Sequence, residues 1–234
     1  MTATGIVQAR MGSERCPGKS MELVGGAPVV AVVLGRLTKA KRLSRVVLAT
    51  SKLDMDVVLA EKAEALGIPV FRGSEADLVD RFLAAAHKYA ETPYIVRATG
   101  DNVFVDWNEI DRLVEFGIEG GWDFVGFDNE VYKDRINDFA GEFIKLEALE
   151  RVAALTDDPY DREHVFPYFY AHPDQFKVTR IQVHPSLHTP VKLDLDYPED
   201  LELLQAIGEE VADPIEVPSP EVVRIASQLR SVSL

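Results

Sequence analysis

The first half of the chain switches repeatedly between two hydrophobic periods, and that alternation limits the folds open to it. GIVQA (5–9), RVVLAT (45–50), IPVFRG (68–73), PYIVRAT (93–99) and WDFVGF (122–127) are short runs rich in β-branched and aromatic residues, as buried strands are. Between them, apolar residues recur every three to four positions. This holds from Pro28 (Val30, Val33, Leu34, Leu37), in MDVVLAEKAEALG (55–67), EADLVDRFLAAAHKYA (75–90) and NEIDRLVEFGI (108–118). Strands separated by helices of this length pair in parallel. The expected fold is therefore α/β, Rossmann-like, with a mostly parallel twisted sheet flanked by helices.

The second half is less regular. FAGEFIKL (139–146) is predicted as a strand. DREHVFPYFYAHP (161–173) is predicted as a helix kinked or broken at Pro167, and FKVTRIQV (176–183) alternates as a strand. LDLDYPEDLELLQAI (193–207) is predicted as a short strand and then a helix from Pro198. SPEVVRIASQLRSV (219–232) is predicted as a last helix, capped by Ser219. No Pro/Gly/Ser-rich linker divides these elements, so a single domain is expected.

Of 234 residues, 47% are hydrophobic, which is enough for a sizeable core. The formal net charge of −14 repels nucleic acid and anionic membrane, so neither is expected as a partner. The longest apolar run, PVVAVVLG (28–35), is far shorter than the ~20 residues needed to span a bilayer. Cys16 is the only cysteine, so no disulfide forms within the chain. With no secretory leader pattern at the N-terminus, the expected location is the cytoplasm.

Against this acidic background, IVQARMGSERCPGKS (6–20) concentrates Arg10, Arg15 and Lys19 in a Gly/Ser/Pro loop after the first strand. It has the outline of a phosphate-binding P-loop, but five residues, not four, separate Gly12 from Gly18, and Pro17, which has no N–H, stands where the second glycine belongs. Lys19 is also separated from the next predicted helix. The loop still suits a polyphosphate: its backbone N–H groups can approach oxygens closely, and its cations can neutralise several charges. A solvated basic loop paired with surface acids is an equally good reading of charge and glycine content alone.

Asp101 follows a strand and Gly100; Asp196 follows LDL. Two carboxylates from different strand ends can share one Mg²⁺, although an Asx turn at Asp101 and a helix cap at Asp196 explain the pattern as well. Asp194 is spaced to share a strand face with Asp196. Cys16 is read as a packing residue. The spacings of His164, His172, His184 and His188 do not suit zinc. Asp80 and Arg81 form a candidate surface ion pair. Trp107 and Trp122 are read as packing, and the aromatic cluster Tyr160, Phe166, Tyr168, Phe169 and Tyr170 as core or a dimer interface.

IVQARMGSERCPGKSMELVGGAPVV resembles the opening of bacterial cytidylyltransferases of the spore-coat-polysaccharide type, more distantly related to acylneuraminate and 3-deoxy-manno-octulosonate cytidylyltransferases. VVLATSKLDMD (46–56), VFRGSEADLVDRF (70–82), IVRATGDNVFVD (95–106), REHVFPYFYAHPDQF (162–176) and LDLDYPEDLELL (193–204) continue the resemblance in order. It implies a nucleotidyltransferase fold and transfer of CMP from CTP to a small anionic acceptor, with release of pyrophosphate. Alternatives are another nucleotide with a sugar 1-phosphate, or a silent nucleotide-binding domain. It further implies that Arg10, Gly12, Ser13, Arg15 and Lys19 bind phosphate, with Arg10, Arg15 and Lys19 catalytic. Gln8, Ala9, Thr50 and Ser51 would hold base and ribose, and Arg72, Asp80, Thr99 and Gly100 would line the nucleotide site. Asp101 and Asp196 would hold Mg²⁺. Glu142, Arg162 and His164 would meet the acceptor, His164 having the alternative role of holding a helix in place. A homodimer is a further expectation.

Overall fold

In the computed structural model, which describes residues 1–128 and 139–232, the chain opens with β1 (Ala3–Gln8), buried except at its last residue. The cationic loop follows and ends in a single 3₁₀ turn at Lys19–Met21. Lys19 thus begins a short helical turn, where the sequence placed it outside any helix start. A small hairpin of β2 (Leu23–Val24) and β3 (Ala27–Pro28) comes next. Its turn residues Gly25 and Gly26 have φ of 57° and 78°, the left-handed pair that a two-residue hairpin turn requires.

Six further elements complete the alternating half: α1 (Val29–Leu37), β4 (Leu43–Ser51), α2 (Val57–Ala65), β5 (Val70–Gly73), α3 (Leu78–Tyr89) and β6 (Tyr94–Thr99). The chain then runs through α4 (Trp107–Glu119), β7 (Phe124–Phe127), β8 (Glu142–Lys145), α5 (Leu146–Leu155), α6 (Pro159–His164) and α7 (Phe166–Ala171). It finishes with β9 (Val178–Ile181), α8 (Pro198–Glu210) and α9 (Ser219–Val232). The main sheet has the order β5-β4-β1-β6-β8-β7-β9. Every adjacent pair is parallel except those of β8, which runs antiparallel to both β6 and β7.

Two apolar layers cover the sheet. Side chains of α1, α2, α4, α8 and α9 form one, and those of α3, α5 and α7 the other, around Phe82, Phe124 and Phe169. Both faces are covered, so the parallel strands read as unbroken apolar runs. Phe166, Phe169 and Tyr170 surround Phe124, with ring centroids 4.8–5.4 Å away, so these rings are core. Trp107 stacks under Arg36 at 4.8 Å and Trp122 against Phe116 at 6.3 Å. No helix among the described residues is long and apolar enough to cross a membrane.

Several sequence expectations need correcting. The strand predicted over 139–146 is confined to β8 and passes directly into α5, a helix that the extended reading concealed. LDL (193–195) is no strand: Asp194 makes one isolated bridge to Asn102, so strand alternation says nothing about Asp194 and Asp196. The segment 161–173 divides at Val165, whose φ is 63°, and Pro167 sits harmlessly in the first turn of α7. Ser219 does not cap α9 with its hydroxyl, which accepts from Arg36 and donates to the Phe104 carbonyl.

Candidate active site

β1 lies between β4 and β6, so the chain leaves it to one side and returns on the other. The carboxyl ends of β1 and β6 therefore flank a crevice, the usual ligand position in such sheets. Gly100 makes the ends meet closely: its N–H donates to the Gln8 carbonyl at 2.8 Å, and a Cβ there would lie 2.9 Å from that oxygen. A cleft of about 410 Å³ opens at this edge. Gln8, Ala9, Arg10, Ser13, Arg15, Lys19, Thr99, Gly100, Asp101 and His164, all singled out from the sequence, line it.

The phosphate-loop candidates are held by the fold. The Gly18 N–H donates to the Met11 carbonyl (3.0 Å) and closes the loop. Gly18 has φ 79°, a conformation that suits glycine. The Met11 N–H donates to Asp56 Oδ1 (2.7 Å). Asp56 is 1% exposed and also accepts from Ser51 Oγ at 2.5 Å. Ser51 was expected at the base or ribose; its hydroxyl instead anchors the loop through Asp56, a residue the sequence reading missed. Thr50 is fully buried in the sheet. Arg72 donates to the Ser51 and Leu53 carbonyls (3.0 and 2.8 Å), tying strand ends together. Asp80 is exposed on the first turn of α3. Thr50, Ser51, Arg72, Asp80 and Gly12 are thus not among the residues lining the cleft.

Three elements meet at Lys19. Its Nζ donates to Asp101 Oδ2 (2.8 Å) and to the Leu195 carbonyl (2.5 Å), and lies 4.0 Å from Asp196 Oδ1. Arg15 pairs with Asp196 Oδ1 at 2.6 Å. Lys192, which the sequence reading did not single out, takes Asp196 Oδ2 at 2.9 Å and Asp200 Oδ2 at 2.6 Å. Asp200 also accepts the Asp196 and Tyr197 N–H groups at 2.9 Å each, which fixes the turn that presents Asp196. Burial pushes the Asp101 carboxyl up, and the charge and hydrogen bond of Lys19, with the Thr99 hydroxyl, more than reverse that, leaving it below the ordinary carboxylate range. Asp101 is therefore ionised at neutral pH.

A second group of residues lies by α6. Arg97 on β6 is fixed by Gln8 Oε1 (2.8 Å), by Glu142 (3.2 Å) and by the Phe166 ring (3.9 Å). Arg81 also lines the cleft, so it does not form the surface pair with Asp80 that adjacency suggested. Arg10 stands 3.9 Å from Glu75 and 4.0 Å from Glu163. Arg162 does not line the cleft: it pairs with Asp77 (2.6 Å) and donates to the Ala153 carbonyl (3.2 Å), docking α6 on α3. His164 lines the cleft and packs edge-on against Tyr160 at 4.5 Å.

Asp77 does two jobs, because its Oδ1 also caps α3 by accepting the Asp80 N–H at 2.8 Å. Asp77→Ala is expected to cost about 2 kcal/mol, and Arg162→Met about 1 kcal/mol, since only the former removes the cap. Urea unfolding of both, with the double variant to isolate their coupling, checks this.

The sequence matches the cytidylyltransferase family model over residues 4–224. The chain belongs to the cytidylyltransferase family. It is 35% identical over 204 residues to an uncharacterized protein of Methanocaldococcus jannaschii, covering 87% of this chain and 82% of that one. It is 29% identical over 231 residues to the spore coat polysaccharide biosynthesis protein SpsF of Bacillus subtilis, covering 95% and 93%. A solved cytidylyltransferase from Leptospira borgpetersenii superposes with a TM-score of 0.89 at 28% identity, covering 99% of this chain and 96% of that one. Of the four charged residues gathered here, Lys19, Arg15 and Asp101 line the cleft, and Asp196 stands beside it, 2.6 Å from Arg15 and 4.0 Å from Lys19.

Proposed function

We propose that the protein transfers CMP from CTP to an oxygen of a small anionic acceptor and releases pyrophosphate. One observation carries this reading: Lys19, from the loop after β1, contacts Asp101 from the end of β6 and approaches Asp196 from the turn before α8. Charge for a triphosphate and acids for a divalent ion thus converge on one sheet edge.

Lys19 and Arg15 would bind the β- and γ-phosphates and stabilise the charge that builds on them as the bond to the α-phosphorus breaks. Loop N–H groups near Ser13 would orient them further. The donor set suits Mg²⁺. Asp101 and Asp196 offer hard carboxylate oxygens, 31% and 23% side-chain exposed, and this ion is commonly held by one or two carboxylates plus substrate phosphates. Bound there, Mg²⁺ would neutralise phosphate charge and polarise the α-phosphate. Lys192 would keep Asp196 in place while Lys19 shifts toward phosphate.

Thermal melts with CTP, UTP, GTP and ATP, each with Mg²⁺, test the nucleotide. CTP is expected to raise Tm most, since a ligand at a hundredfold excess over its Kd adds about 2.7 kcal/mol of stability. Equal shifts from all four would remove the base assignment. Pyrophosphate release with a panel of sugar acids, sugar phosphates and phosphonates tests the transfer. No release from any pairing would overturn it.

A further inference from the structure

We propose that Arg97, together with Arg81 and Arg10 of the same cleft, forms a second oxyanion subsite that holds the carboxylate or phosphate of the acceptor. The proposal rests on the cytidylyl-transfer reading and specifies what the acceptor must carry. The three arginines line the same cleft as Lys19 but have other partners: Glu75, Glu163, Glu142 and the Ser74 carbonyl rather than Asp101 and Asp196.

Arg97 is held in advance. Its side chain is 11% exposed, and a strand partner, an amide oxygen and an aromatic ring all act on one guanidinium. A cation fixed in this way loses little entropy on binding, and its planar fork suits a two-oxygen anion. Arg81 is 2% exposed. Its Nη1 donates to the Ser74 carbonyl at 2.7 Å, while its Nε meets no acceptor among the described residues. Burial, aggravated by Arg10 and Arg97, pushes it down to about 10, and Asp56 and Glu75 relieve this only in part. Like charges gathered at one wall are relieved by an anion placed among them.

Two of the acids nearby fill this role only weakly. Glu75 and Glu163 stand at 3.9 and 4.0 Å from Arg10 with side chains 41% and 47% exposed, which is a weak hold. Glu142 holds Arg97 more firmly, at 3.2 Å, and among the described residues it is a carboxylate that an incoming anion must compete with. The chemistry assigns the anion to the acceptor. In-line displacement puts the attacking oxygen opposite the departing pyrophosphate, so an anchor separate from Lys19 and Arg15 serves the acceptor.

The test is calorimetric titration of protein saturated with Mg²⁺ and the α,β-methylene analogue of CTP, which cannot transfer. The probes are sulfate, standing for phosphate, and gluconate, standing for a sugar carboxylate. Wild type is expected to bind at least one of them, and the one bound identifies the acceptor's charged group. Glu142→Gln removes the competing carboxylate and should tighten the probe severalfold. Adding Arg97→Gln keeps a neutral cross-strand pair and should weaken it about tenfold or more. The analogue itself should bind all three proteins within about twofold. Unchanged probe affinity across the variants, or no probe binding to wild type, overturns the subsite. Loss of analogue binding in the double variant also overturns it, by assigning these arginines to the nucleotide. Failure of wild type to bind the analogue would instead defeat the cytidylyl-transfer reading, and the variants titrated without nucleotide would still report on the arginines.

Discussion

Asp101→Asn is expected to lower the rate of pyrophosphate release by about 10²–10³-fold, the cost of losing one positioned electrostatic group, while the protein stays folded. The substitution keeps an oxygen for Lys19 but removes the charge. Lys19 retains the Leu195 carbonyl and its approach to Asp196, so the change in stability should stay near 1 kcal/mol. The sign of its pH dependence follows from the depressed carboxyl. The stability contributed by ionised Asp101 is present above the unfolded pKa of about 3.9 and is lost as pH falls through the lower folded value. The gap between wild type and variant in urea unfolding should therefore be widest near neutrality and close in acid. A gap that persists at pH 3, or activity retained with a large loss of stability, would show that Asp101 is structural.

Arg36→Met is expected to have the largest effect on stability, about 4 kcal/mol, seen as a fall in Tm of about 10 °C. Arg36 is fully buried. It donates to the carbonyls of Val105 (2.8 Å), Pro214 (2.9 Å) and Val217 (2.7 Å) and to Ser219 Oγ (2.7 Å). Its guanidinium also lies 4.8 Å from the Trp107 ring and 5.6 Å from the Phe104 ring. Burial pushes its pKa down to about 10, so it remains charged at neutral pH. One side chain thus fastens the loop after β6 and the segment leading into α9 onto α1. Methionine fills much of the volume but leaves buried acceptors without donors. Lysine keeps the charge and cannot reach them all, so Arg36→Lys should recover only part of the loss. Scanning calorimetry of both variants decides it.

The alternating half of the fold was legible because β1 and the second half of β4 are buried apolar runs and α3 and α4 bury one face each, so period and burial agree. The second half was harder for identifiable reasons. β8 is four residues long and flows into α5 without a turn signal, so one apolar run served two structures. Val165 breaks its helix by backbone conformation, which a β-branched residue does not advertise. At the site, Lys19, Arg15 and Asp101 were visible because their residue types cluster next to strand ends, whereas the strand expected before Asp196 is absent and that residue was reached through the family resemblance. Arg97 and Asp56 were not, because contacts that hold them span 45 to 89 residues of sequence, and Lys192 and Arg81 were not, because no strand end announces them. Ser51 and Arg162 were also named; the Ser51 hydroxyl, at the end of β4, turns to Asp56, and the Arg162 side chain, on α6, turns to Asp77.

The reversed strand β8 has a consequence for how relatives of this protein could diverge. Parallel strands deliver only their finishing ends to the reacting edge, and those ends here carry Lys19's loop and Asp101. β8 delivers its beginning: Glu142 stands opposite Arg97, directly after the Phe139–Gly141 segment, whose Phe139 carbonyl accepts the Asp106 N–H. Substitutions at Glu142 can therefore change how Arg97, which lines the cleft, is held, without touching Lys19 or Asp101. Lineages could exchange one recipient molecule for another and keep the same nucleotide chemistry.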